Sequence, residues 1–357
     1  MSITAKRATR TCRASDMAKK SRTAPPRPRV PTVAGGLSGR LLHMAGADAA
    51  VRPDFDAVAR DLEARKATAP GAFDLSHHGA ADEAKLAQAR IAAAAEPGDA
   101  LRQFQLADAL RRAGRDGEAR LALERCLALD PDATSARFML AALGGAAVPE
   151  IMPPELVAAI FDAAAARFDE TLVGTLKYRG PELIAKTLAP MLAAFGRKLD
   201  VLDVGCGTGL AAPHLVPHAR RLDGVDLSAK MIEAAKARHA YHSLAVGDFV
   251  AALNAAPASY DLVVAADVLV YVGALEATFA AAHHALRPGG LLAYSVERGE
   301  GGRFALSSAS RYQHDPAYVE AAAAAAGFAL RHRADAVLRF ESGKPVDSLI
   351  YVHARRA

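Results

Sequence analysis

The spacing of apolar positions changes character near residue 199. Before it, apolar residues recur at helical intervals; after it, short apolar runs alternate with helical segments. Phe55, Val58 and Leu62 put one stripe on a helix over 54–66, which TAPG then breaks. From about 82 to 144 the rhythm is helix, turn, helix. Leu106, Ala107 and Leu110 make one stripe, Gly114 and Gly117 mark a turn, Ala119, Leu123 and Cys126 make the facing stripe, and Pro131 ends the unit. GGAAVPEIMP, residues 144–153, reads as a linker. Residues 154–195 are helical again, with Pro154 and Pro181 where helices begin.

From Leu199 onward, LDVLDVG, RLDGVDLS, SLAVGDF, YDLVVAAD and GGLLAYSVE predict five buried strands. Helical segments SAKMIEAAKARHA, GALEATFAAAHHAL and PAYVEAAAAAAGF follow the second, fourth and fifth. Such alternation implies a parallel α/β sheet. FALRHRADAVLRF and PVDSLIYVHA, joined by the short turn ESGKP, predict an antiparallel hairpin.

The paired helices over 100–132 resemble a tetratricopeptide repeat, with Ala107, Ala119 and Pro131 at signature positions. They depart from it at Gln103, Leu110 and Leu123, where the repeat carries aromatic residues; a plain helical hairpin is the alternative. The domain boundaries expected are a disordered basic leader over 1–40, a tetratricopeptide-like helical domain over 54–146 and an α/β domain over 154–357.

Charge sharpens this division. Residues 1–40 hold ten Lys/Arg against Asp16 alone, so the rest of the chain has 34 basic residues against 38 acidic. The basic balance belongs to the leader, which disfavours a nucleic-acid surface on the folded body. The leader's Arg/Ser/Ala-rich composition resembles a transit peptide; a plain disordered leader, or synthesis from Met17, is the alternative. Cys12, Cys126 and Cys206 match no metal or disulfide pattern, which suits a cytoplasmic setting. No run of about 18 apolar residues predicts a membrane span. The pairs His77-His78 and His283-His284 point about 100° apart on a helix, so no metal is expected there.

The chemistry concentrates in VLDVGCGTGL, residues 201–210. A buried strand ends in Asp203, and Gly205, Gly207 and Gly209 then alternate, letting backbone approach a ligand closely. A dinucleotide site would need G-x-G-x-x-G and would suffer from Asp203 beside a pyrophosphate. An acid there suits a cationic, amino-acid-bearing ligand instead. Asp226 ends the second strand, where a carboxylate can take both hydroxyls of a ribose. Asp248-Phe249 follow the third, an acid for an exocyclic amine beside a ring that can pack on a base. Ala265, Ala266 and Asp267 end the fourth. Each acid alone reads more commonly as a helix N-cap; four at successive strand ends do not.

This ordered set, over roughly residues 160–355, resembles the class I S-adenosylmethionine-dependent methyltransferases. The resemblance implies a Rossmann-like seven-stranded sheet with an antiparallel terminal hairpin, preceded by the all-α repeats. It implies that S-adenosyl-L-methionine is bound by Asp203, Gly205, Cys206, Gly207 and Gly209 around its methionine part. Asp226 would bind the ribose and Leu227 would flank the adenine, with Met231 also among the cofactor-binding residues. Asp248 and Phe249 would face the adenine, and Ala265 and Asp267 would line the floor. The layout as a whole resembles bacterial predicted methyltransferases with an N-terminal tetratricopeptide region.

The strand end ADVLVYV lacks an amine-positioning signature, which disfavours N-methylation of bases or amides. A small-molecule acceptor is expected, methylated on oxygen by in-line displacement. Two segments are candidates to cover it: RFDETLVGTLKYRGPEL, with Phe168, Tyr178 and Arg179, and the stretch after the fifth strand, with Arg303, Arg311, Tyr312 and His314. Tyr178, Tyr312 and His314 are the candidate catalytic residues, His314 as general base; a packing tyrosine and a capping or surface histidine are the plainer readings of Tyr178 and His314. The alternatives are a protein methyltransferase that docks its substrate on the repeats, and an interaction scaffold whose domain binds cofactor without catalysis.

Overall fold

The computed structural model describes residues 80–341 and 343–356. The leader, the helix expected over 54–66 and the pair His77-His78 lie outside them. Four helices come first: α1 (Ala80–Ala95), α2 (Ala100–Arg112), α3 (Asp116–Leu129) and α4 (Thr134–Ala142). Asp99 caps α2, its carboxylate accepting from the Leu101 amide at 2.7 Å. Gly114, at φ +71°, makes the turn into α3, whereas Gly117 lies inside α3. Ala107, Leu110, Ala119, Leu123 and Cys126 are all buried, so the two stripes meet as the spacing requires. The small Ala107 and Ala119, both fully buried, sit in the core that the two helices share.

Helix α5 (Pro154–Ala164) leads through a 3₁₀ turn (Ala165–Arg167) and a π-helical turn (Glu170–Thr175) to α6 (Gly180–Ala194). The α/β part follows as β1 (Leu199–Val204), α7 (Ala212–Leu215), β2 (Ala219–Asp226), α8 (Ala229–Lys236), β3 (Ser243–Val246), α9 (Phe249–Asn254) and β4 (Tyr260–Ala265). After a 3₁₀ turn (Leu269–Tyr271) come α10 (Glu276–Ala285), β5 (Leu286–Arg298), β6 (Phe304–Leu306), β7 (Tyr312–His314), α11 (Pro316–Ala325), β8 (Phe328–Glu341) and β9 (Lys344–Arg355).

Strands β3-β2-β1-β4-β5 are parallel neighbours in that order. β9 joins β5 antiparallel and β8 closes the hairpin beside it, giving the expected seven strands. The sheet has two more. β6 and β7 form a short antiparallel pair, and β7 runs parallel to the end of β5 through Glu297 and Arg298. The stretch expected to be an acceptor-covering loop therefore contributes two short strands to the sheet.

One face of the sheet packs on α6 and α7 through Ile184, Leu188 and Leu215; the other packs on α9, α10 and α11 through Leu253, Phe279 and Val319. A third core joins the helical repeats to this body. It runs from Leu86 and Phe104 through Phe138 and Met139 to Met152, Leu156, Val157 and Ile160, and reaches Tyr312. The stretch read as a linker is stitched down: Met152 N–H donates to Tyr271 O at 3.0 Å, and the Gly273 and Ala274 amides both donate to Glu150 O at 2.8 Å. Ile151 pairs antiparallel with Val272, and Tyr312 Oη donates to Pro149 O at 2.9 Å.

Candidate active site

Strand order reverses direction between β1 and β4, and ligands of open α/β sheets bind at the carboxyl ends beside such a switch. A cavity of about 660 Å³ lies there, within the range of small-molecule sites. Asp203, Gly205, Cys206, Gly207, Asp226, Leu227, Asp248, Phe249 and Asp267 all line it, so strand ends far apart in sequence do converge.

Asp203 is buried, and its Oδ2 accepts from Tyr241 Oη at 2.7 Å. Burial pushes its pKa up to about 7, against the opposing hydrogen bond from Tyr241. Asp226 accepts from the Gly207 amide at 2.9 Å through Oδ2 and from the Ser228 amide at 2.8 Å through Oδ1. Burial raises its pKa to about 6 in spite of those bonds. Two desolvated carboxylates on one wall form a site that gains from a bound cation and from hydroxyl donors. Asp248 caps α9, its Oδ1 accepting from the Ala251 amide at 2.8 Å, so capping and lining of the cavity coexist in one residue.

Gly205 has φ +60°, and a Cβ there would lie 2.4 Å from Val268 Cγ2. Glycine is required on both counts. Gly207, at φ +54°, would meet only Phe168, 3.8 Å away across the cavity.

Three expected ligand residues stand elsewhere. Gly209 does not line the cavity; a Cβ there would press on Arg238 and Tyr241, so it makes room for those side chains. Met231 is fully buried in α8, away from the cavity. Ala265 points into the core beside Leu202 and Val204, and its neighbour Ala266 takes the wall, because adjacent strand residues face opposite ways.

The candidate catalytic residues separate. Tyr178 lines the cavity. Tyr312 does not: it is fully buried among Phe138 and Phe304, with its hydroxyl on Pro149 O. His314 does not either. Its Nε2 donates to Val272 O at 2.8 Å and Gly273 O at 3.1 Å, and burial pushes its pKa down to about 4. It anchors the segment that pairs with the 149–152 strap and is no general base. Arg179 and Arg303 are exposed and paired with Glu182 and Glu276. Arg311 and Phe168 do line the cavity. His283 packs its ring edge-on against Phe328.

Sequence reasoning missed several residues. Asp162 of α5 accepts from Ser228 Oγ at 2.5 Å and from the Lys230 amide at 3.2 Å, fixing the loop that holds Asp226. Asp169 accepts from Thr208 Oγ1 and Arg238 Nη2, both at 2.5 Å, tying the segment that leads into the π-helical turn to the glycine loop. Beyond Asp267 lies a buried charge cluster. Arg339 donates through Nη1 to both oxygens of Asp267 at 2.6 Å, through Nε to Glu341 at 2.8 Å, and through Nη2 to Glu297. Arg311 donates through Nε to Glu297 at 2.7 Å and through Nη2 to Glu341. The pairing holds the Glu341 carboxyl below its ordinary value despite burial. Polar residues within β7 and β8 were the available signal, yet nothing in sequence shows which face such residues take.

Comparison with known proteins agrees with this geometry. Residues 201–290 match the methyltransferase domain family, and residues 100–143 match the tetratricopeptide repeat. The malonyl-[acyl-carrier protein] O-methyltransferase of Hahella chejuensis is 40% identical over 39% of this chain and 49% of its own length. The ubiquinone biosynthesis O-methyltransferase of Idiomarina loihiensis is 36% identical over 29% of this chain and 43% of its own. The chain thus spans about half the length, or less, of these curated relatives. The solved 1,6-didemethyltoxoflavin-N1-methyltransferase of Burkholderia thailandensis overlaps 55% of this chain and 89% of its own at 22% identity, with a TM-score of 0.43. The sheet order, the glycine loop and the acids at its strand ends accord with the methyltransferase domain family that residues 201–290 match, behind helices that match the tetratricopeptide repeat.

Proposed function

We propose that the chain methylates a small molecule on oxygen, using S-adenosyl-L-methionine by in-line displacement. The observation that carries this reading is the cavity itself, which four acids from successive strand ends, Asp203, Asp226, Asp248 and Asp267, line together with apolar side chains such as Val157, Ile160 and Leu172. When bound, the cofactor supplies a methyl on a cationic sulfur whose departure leaves a neutral thioether. Asp203, Gly205, Cys206 and Gly207 are proposed to surround its methionine part, Asp226 its ribose, and Leu227, Asp248 and Phe249 its adenine. The chain's task is then to orient the acceptor and exclude water. Phe161 and Phe168, edge-on at 5.8 Å, serve the second task at the cavity wall.

Two named relatives are O-methyltransferases, which supports oxygen as the acceptor atom. Ile151, Met152, Val157 and Ile160 wall the acceptor side. Met152, Val157 and Ile160 belong to the same core as the repeats, which favours the repeats as a buttress over a ramp for a polypeptide. We take 54–146 and 154–357 as the domain division, and a cytoplasmic setting. Among the described residues no helix is long and apolar enough to cross a membrane.

Calorimetric titration of the full chain with S-adenosylmethionine tests the core of the proposal. Absence of binding at millimolar cofactor sinks it and leaves the scaffold reading. Binding, followed by turnover on a peptide and on no small molecule, selects the protein methyltransferase instead.

A further inference from the structure

The acceptor compartment contains no lysine and no histidine among its described lining residues. Its acids are committed. Asp203, Asp226 and Asp248 belong to the proposed cofactor wall, and Asp267 and Glu341 are held by Arg339 and Arg311. A neutral hydroxyl or a protonated amine needs a base to become a nucleophile; a carboxylate is already one at neutral pH.

The donors in the same compartment point the same way. Arg311 is 6% exposed, and its Nε and Nη2 are taken by Glu297 and Glu341. Its Nη1 has no partner among the described residues, and the side chain lines the cavity. Tyr271 and Tyr178 line it too, and neither hydroxyl has a hydrogen-bond partner among the described residues. Tyr271 interacts electrostatically with Arg311, Asp267 and Arg339. Tyr178 interacts with Asp267, Arg339, Asp203 and Tyr271, so it stands where the cofactor wall meets the charged cluster. One guanidinium edge and two phenols are thus spare donors, in a compartment otherwise walled by groups such as Val157, Ile160 and Leu172.

Building on the reading above, we propose that the acceptor is a carboxylic acid with an apolar body, its carboxylate received by Arg311 Nη1 and the hydroxyls of Tyr271 and Tyr178. One oxygen takes these donors while the other forms the bond to the methyl. The methyl–sulfur bond breaks as the oxygen–methyl bond forms, the electron pair leaves with sulfur, and no proton moves. The product is a methyl ester. It carries no charge for Arg311 to hold, which favours its release. The carboxylates of Asp267, Glu297 and Glu341 face the same cluster. Each accepts from a guanidinium, so they orient the arginines and leave the free N–H edge to the ligand.

The test uses the full chain saturated with S-adenosylhomocysteine and titrated calorimetrically with octanoate, methyl octanoate and octylammonium. Octanoate is expected to bind at least about tenfold more tightly than either control, the difference expected of charge-assisted hydrogen bonds in a dry pocket. Tyr271→Phe, which keeps the ring, and Arg311→Lys are each expected to weaken octanoate several-fold while leaving S-adenosylhomocysteine affinity unchanged. Equal or tighter binding of the ester or the ammonium, no octanoate binding, or octanoate affinity unmoved in Tyr271→Phe overturns the proposal. Loss of S-adenosylhomocysteine binding in the unmutated chain is a separate result, and it removes the cofactor reading beneath it. Because Arg311→Lys perturbs a buried cluster, Tyr271→Phe with an unchanged melting temperature is the deciding variant.

Discussion

Asp203→Asn is expected to stabilise the ligand-free protein and to weaken it as a cofactor site. Burial raises the Asp203 pKa from an ordinary 3.8 to about 7. That rise corresponds to about 4 kcal/mol of preference for the protonated form in the folded state. Because the folded pKa lies above the unfolded one, the stability that Asp203 contributes is complete below about pH 4. It is lost as pH rises through about 7. At pH 8 the folded protein therefore carries an ionised, desolvated carboxylate, whose main compensation is the 2.7 Å hydrogen bond from Tyr241. Asparagine keeps an oxygen for Tyr241 and removes the charge. The gain at pH 8 has about 4 kcal/mol as its upper bound, and at about 2–4 °C per kcal/mol it is easily seen in a melt. Other buried groups also shape the pH profile. His314 and His353, both pushed down to about 4 by burial, contribute stability that is lost as pH falls from 6.5 through about 4. The difference between wild type and variant cancels them. The assay is thermal melting from pH 5 to 8.5, with and without S-adenosylhomocysteine. The advantage of the variant over wild type should grow from about pH 4 to about pH 7 and level off above that, and ligand should raise its melting temperature less. Parallel pH profiles for the two proteins would refute the buried-carboxylate reasoning.

Three further outcomes follow from the same wall. Asp226→Ala should weaken S-adenosylhomocysteine at least about tenfold, measured by calorimetry, because a carboxylate that already orders the Gly207 and Ser228 amides is removed; unchanged affinity removes the ribose assignment. Gly205→Ala should abolish measurable binding, since the new methyl meets Val268 at 2.4 Å in a left-handed backbone; a variant that binds normally would show that the loop shifts freely. Asp162→Ala should lower cofactor affinity several-fold without touching the ligand, and Asp162→Asn should restore most of it, because one oxygen still accepts from Ser228. Equal behaviour of the two variants would reduce Asp162 to a packing residue.

The sequence carried the parts of the site that depend on where a strand ends. Asp203, Asp226 and Asp248 were readable because a strand terminus is marked by turn chemistry, and the terminus fixes which end of the sheet a side chain reaches. Ala265 shows the limit. An assignment one residue out along β4 exchanges core for cavity, and two adjacent alanines offer no polarity to decide between them. Gly209 was misassigned because a glycine that spares room for Arg238 and Tyr241 has the same spelling as one that spares room for a ligand. His314 and Tyr312 looked available in a polar, glycine-rich stretch. The pairing of β7 with β5 is a long-range event, and it turned both inward. The Arg311–Arg339 cluster draws on β5, β8, the segment after β4 and the residue before β7, so no local pattern announces it.

The strap at 149–152 bears on how such proteins diversify. It borrows its hydrogen-bond partners from the turn after β4 and from β7, and its Met152 side chain lies in the core that begins in the repeats. Repeat and α/β body therefore share one buried core along this seam. A graft of these helices onto another methyltransferase would have to carry the strap and its partners with it. A point change deep in the repeat, such as Met139→Ala, opens a cavity in the same core that holds Met152 of the strap.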